Sequence, residues 1–80
     1  MAEATVRFFA AAREAAGVPT APVSGNTLAD VAAGLQGNDA LAAVLGVSTF
    51  LVDGARRALT DPTPLPPGAT IDVLPPFAGG

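Results

Sequence analysis

The chain of 80 residues contains no cysteine, histidine, lysine, tyrosine or tryptophan. Those absences remove most of the side chains that act as nucleophile, as acid or base near neutral pH, as Schiff-base former or as soft metal ligand. A self-contained active site is not expected, and no cofactor or metal is expected to be held by this chain. There is no "GxxxxGK[ST]" loop to cradle a nucleotide phosphate. Positive charge is also scarce: four arginines face seven carboxylates, for a net charge of −3. That is the wrong sign for a phosphate backbone and too mild for disorder, so nucleic acid is not an expected partner. No apolar run approaches the ~20 residues of a membrane span. The opening "MAEATVRFF" has neither a basic start nor an apolar signal region. These features predict a cytoplasmic protein without a membrane partner, and the lack of cysteine fits a reducing compartment.

What remains is half hydrophobic, but 18 of the 40 hydrophobic residues are alanine. Eight Val, eight Leu, four Phe, Ile71 and Met1 supply the larger side chains. Such a chain builds one domain over residues 1–80 with a thin, closely packed core, burying about 60–65% of the surface of the unfolded chain.

Local patterns place the elements. "TVRFFA" is rich in β-branched and aromatic residues, with Val6 and Phe8 alternating against Arg7 and Phe9, and reads as a strand. "AAAREAAG" follows as a short helical turn closed by Gly17. "VPTAPV" is a second strand only if its prolines lie on an edge or at strand ends. "NTLADVAAGLQG" is the main helix, with Thr27 as N-cap, Asp30 completing a capping box, Leu28, Val31 and Leu35 on one face, and Gly37 as its end. "NDALAAVLG" is a shorter helix capped by Asn38. "STFLVDGARRAL" reads as a hairpin about Asp53-Gly54, a favoured pair for a type I′ turn. A proline-rich loop, "TDPTPLPPGA", leads to a last strand, "TIDVL", in which Ile71 and Val73 alternate with Asp72 and Leu74. The layout is α+β: one sheet of about five strands covered by a main helix and a short one. By strand parity Val6, Phe8, Ile71 and Val73 face the helix, which leaves Phe9 and Leu74 on the opposite face as a candidate partner surface. Arg56 and Arg57 follow the turn as solvated charges and are assigned no role.

The last strand runs into "PPFAGG". Pro75 and Pro76 fix φ and stiffen the exit, lowering the ordering cost left to be met on docking. The six residues Pro75 to Gly80 span about 20 Å at ~3.1–3.5 Å per residue. Phe77 is an apolar anchor for a partner pocket, worth about 1.5–3 kcal/mol when buried. Ala78, Gly79 and Gly80 carry so little side chain that a narrow channel can close around the main chain. The functional atom is then expected to be the carboxylate of Gly80. Ionised at neutral pH, it needs activation by an outside enzyme, most simply adenylation with ATP.

The segments "VRFFAAAREAAG", Asp53-Gly54 and "LPPGATIDVLPPFAGG" together resemble the MoaD-type small subunit of molybdopterin synthase, within the MoaD/ThiS sulfur-carrier family. The most specific part is "PPFAGG", and Phe8, Phe9, Ala10, Arg13, Glu14 and Gly17 add independent support. The resemblance implies a ubiquitin-like β-grasp fold with the first and last strands as parallel central neighbours. It implies that an adenylating enzyme related to ubiquitin activators attaches AMP to Gly80. A sulfur donor then makes a thiocarboxylate there. It further implies that the tail enters a MoaE-type large subunit, where sulfur passes to cyclic pyranopterin monophosphate. Gly68-Ala69 and Phe77 depart from the common family pattern, but neither touches the diglycine. Two alternatives stay open: a related carrier serving cysteine or thiamine synthesis, and a protein modifier or interaction module.

Overall fold

A computed structural model describes residues 2–76. Eight elements follow in chain order: β1 (Ala2–Phe8), α1 (Ala11–Ala16), β2 (Thr20–Gly25), α2 (Leu28–Gly34), α3 (Asp39–Leu45), β3 (Thr49–Val52), β4 (Ala55–Arg57) and β5 (Ala69–Leu74). The strands form one mixed sheet in the order β2-β1-β5-β3-β4. Its central pair, β1 and β5, is parallel, with Ala4 opposite Ala69 and Phe8 opposite Val73. The other three pairings are antiparallel. This is the expected ubiquitin-like β-grasp arrangement.

Alternation along the strands decides what lies between sheet and helices. Ala4, Val6 and Phe8 of β1, Phe50 and Val52 of β3, and Ala69, Ile71 and Val73 of β5 are buried against Ala12, Leu28, Val31, Leu41 and Leu45 from the three helices. Leu65 joins this core from the proline-rich loop, its N–H donating to the Asn26 carbonyl at 2.8 Å. That contact ties the loop to the start of α2. Pro22 sits on β2, an edge strand, where a missing N–H costs no ladder bond.

The helix signals hold with shorter spans. Thr27 and Asp30 form the capping box, the Thr27 hydroxyl accepting from the Asp30 N–H at 3.3 Å and the Asp30 carboxylate from the Thr27 N–H at 3.2 Å. The helix stops at Gly34, short of Gly37, because Leu35 and Gln36 donate to Ala32 and Ala33 in tighter i−3 bonds. At seven residues it is no longer than α3. The Asn38 side chain caps α3 by accepting from the Leu41 N–H and also donates to the Ala15 carbonyl at the end of α1. One side chain thereby fixes two helices to each other.

At Gly25 the end of β2 passes close to the first turn of α2. A Cβ there would stand 3.0 Å from the Asp30 Cβ and 3.2 Å from Val31, so only glycine fits without displacing the start of α2.

Candidate functional site

The sheet has a second face that none of the described helices covers. Register places Thr20, Arg7, Asp72, Leu51 and Arg56 in one row across all five strands on that face. Leu74 and Thr49 lie one step nearer the exit of β5. Phe9 follows β1 there, its N–H donating to the Val73 carbonyl at 3.3 Å. It is 39% exposed, while Leu74 and Leu51 are half-buried. Both residues expected on this surface are therefore found together on it. Leu51 was missed, although its place opposite Asp72 follows from the hairpin register once the strand order is known.

In the middle of the face Arg7 grips Asp72 side-on, Nε donating to Oδ1 at 2.5 Å and Nη2 to Oδ2 at 2.8 Å. The Asp72 side chain is only 10% exposed and that of Arg7 50%. The hydrogen bond first, and the charge of Asp72 second, push the guanidinium pKa above its ordinary value. Its Cζ also stands 5.7 Å from the centre of the Phe9 ring, in cation–π range. The sequence singled out neither residue as a pair, because the contact spans 65 positions and depends on the parallel pairing of β1 with β5.

β5 is anchored on both sides. Asp53 and Gly54 have φ of 49° and 84°, the positive values expected of a type I′ turn. Asp53 also reaches across to β5. Its N–H donates to the Thr70 carbonyl at 2.8 Å, and its Oδ1 accepts from the Thr70 N–H at 2.9 Å. A strand held by β1, β3 and this turn leads into Pro75, half-buried, and Pro76, exposed. Phe77, Ala78, Gly79 and Gly80, the rest of the expected inserting tail, lie outside the described residues.

Beside Phe9 the backbone is strained. Ala10 has φ 50° and ψ −124°, the first central position of a II′-like turn closed by the Ala12 N–H donating to the Phe9 carbonyl at 3.0 Å. Glycine is the usual occupant there. The turn reverses the chain immediately after Phe9 and sends it into α1. Arg57 donates to the Thr63 carbonyl. Thr63 holds the Asp61 carboxyl below its ordinary range through side-chain and backbone hydrogen bonds, with a smaller contribution from the charge of Arg57. Among the described residues no group of three carboxylates comes together to hold a metal ion, and no helix is long and apolar enough to cross a membrane.

The ThiS family model matches residues 6–80. Small archaeal modifier protein 1 from Methanosarcina acetivorans is similar over 100% of this chain and 98% of its own, at 33% identity and a TM-score of 0.84. The complex of subunits 1 and 2 of molybdopterin-converting factor from Helicobacter pylori contains a chain at 32% identity and a TM-score of 0.73, with 98% and 99% of the two chains covered. A molybdopterin-converting factor subunit 1 from Pyrococcus furiosus, described as putative, shares the fold at 19% identity and a TM-score of 0.79, covering 96% of this chain and 100% of that one. No curated protein sequence matches at a significant level.

Proposed function

The chain belongs to the ThiS family, among the MoaD/ThiS sulfur carriers, and from that premise we propose that it carries sulfur on Gly80 for molybdenum cofactor synthesis. The observation that carries this reading is where the tail leaves the fold. It follows β5, the central strand, hydrogen-bonded on both flanks and clamped by Asp53, and it leaves beside the uncovered face of Phe9 and Leu74. A base that rigid limits the directions open to the chain at Pro75 and Pro76 and lets a partner recognise the face and the tail together.

The chemistry requires little of this chain. A carboxylate oxygen of Gly80 attacks the α-phosphorus of ATP on an adenylating enzyme related to ubiquitin activators, and pyrophosphate leaves. A sulfur donor at the sulfide level displaces AMP, leaving a thiocarboxylate. Phe77, Ala78 and Gly79 then thread into a MoaE-type large subunit, where the sulfur passes to cyclic pyranopterin monophosphate and water takes its place on the Gly80 acyl carbon, restoring the carboxylate. The similarity to a chain of the Helicobacter pylori complex of subunits 1 and 2 supports such a partner. The catalytic groups for these steps belong to the partners, in keeping with a chain that has no histidine, cysteine or lysine.

Reconstitution tests the reading. With the adenylating enzyme, ATP, a sulfur donor, the large subunit and cyclic pyranopterin monophosphate, the chain is expected to support formation of the dithiolene product. Deleting Gly79 and Gly80 is expected to abolish it. Undiminished product after that deletion overturns the proposal. A second reading, protein modification, is favoured by the similarity to a small archaeal modifier protein. It predicts Gly80 joined to lysines of other proteins, since this chain has none to accept a link.

A further inference from the structure

We infer that Arg7 selects the partner of the open face. That face takes a surface apolar over Phe9, Leu51 and Leu74 that places a carboxylate against the outer edge of the Arg7 guanidinium. The inference rests on the docking role proposed above and names the chemistry of the partner.

A guanidinium has five N–H donors in a fixed plane. Side-on pairing uses the Nε hydrogen and one Nη2 hydrogen on Asp72. Both Nη1 hydrogens and the outer Nη2 hydrogen then point away from the carboxylate they leave behind. They have no other partner among the described residues, and half of the side chain is open to solvent while Asp72 is enclosed. The pair is therefore asymmetric: its anion is used up and its cation reaches outward.

Any partner that covers Phe9 also covers this cation, since the two stand 5.7 Å apart. A wholly apolar partner would bury three N–H groups without acceptors, which penalises binding. A partner with an acceptor opposite them escapes that cost, so the same arginine rejects one class of surface and admits the other.

Charge makes the acceptor a carboxylate. The row Thr20, Arg7, Asp72, Leu51 and Arg56 holds two cations and one anion, a balance of +1 in a chain of net charge −3. Glu14, Asp30, Asp39, Asp53 and Asp61, five of the seven acids, lie on helices, on the hairpin turn or in the loop. Glu3, exposed on β1 with the parity of Arg7, also lies on this face and makes it neutral as a whole, so the excess positive charge is confined to the row through Arg7, where planar Arg–carboxylate pairing suits an interface.

The test compares wild type with the double variant Arg7→Met/Asp72→Leu, binding each to the purified MoaE-type large subunit by calorimetry across a salt series. The double variant removes the pair without orphaning Asp72, so its thermal midpoint is expected to be unchanged or higher. Its affinity is expected to fall at least ~10-fold, with a flatter dependence on salt. Arg7→Lys keeps the charge but loses the fork, and an intermediate loss is expected. This variant reads the effect even if the double variant folds poorly. Equal affinity and equal salt slope for all three proteins overturn the inference while leaving the sulfur-carrier reading intact. Absence of binding by the wild type to both the large subunit and the adenylating enzyme overturns both.

Discussion

The two faces of the sheet are cut from the same strands and follow different rules. Toward the helices, Val6, Phe8, Ile71 and Val73 are at most 3% exposed and make only apolar contacts. Away from them, the residues between these positions are Arg7, Phe9, Asp72 and Leu74: an ion pair, an exposed ring and a half-buried leucine. Burial stabilises the first set, whereas the second leaves apolar area and hydrogen-bonding capacity for another molecule. In a period-two element, neighbouring residues can therefore answer to folding and to docking independently.

The sharpest way to break this comparison is to truncate one residue from each face. Ile71→Ala opens a cavity at a fully enclosed site and is expected to cost about 2–5 kcal/mol in chemical denaturation. Leu74→Ala, three residues on, is expected to cost under about 1 kcal/mol of stability and yet weaken large-subunit binding roughly 10-fold. Equal losses of stability would erase the distinction between the faces. A smaller effect lies at the boundary between them. Ala10→Gly relieves a positive-φ alanine in a turn that glycine prefers, so the midpoint of unfolding should rise by an amount worth about 1 kcal/mol. A less stable Ala10→Gly protein would mean that this turn holds no strain.

Smallest of all is the acid response outside both faces. The folded pKa of Asp61 is depressed, so its contribution is present above the unfolded carboxylate value near ~4 and is lost as pH falls through the folded value. With no histidine, stability is expected to stay flat between about pH 5.5 and 7. A modest decline below pH 4 should shrink in Asp61→Asn. An identical decline in both proteins would remove Asp61 from the account.

Local signals carried well from sequence to structure wherever the deciding interaction is local. The Thr27–Asp30 capping box, the Asn38 cap and the Asp53-Gly54 turn each depend on residues within a few positions. Parity assigned Phe9 and Leu74 to the open face correctly because alternation is a backbone property. What stayed hidden depends on partners distant in sequence. The Arg7–Asp72 pair requires β1 beside β5, the burial of Leu65 requires the loop to close under α2, and Gly25 is needed only because Asp30 and Val31 pack against it. Ala10 was hidden for another reason. Alanine reads as a helix former, and only the reversal between β1 and α1 forces it into a conformation suited to glycine.

One measurement bears most directly on the idea that the folded body serves to hold and present a reactive main-chain terminus. After incubation with the adenylating enzyme, ATP and a sulfur donor, tandem mass spectrometry of the C-terminal fragment should locate a single oxygen-for-sulfur exchange on Gly80. A fragment of unchanged mass, or sulfur found on any other residue, would contradict it.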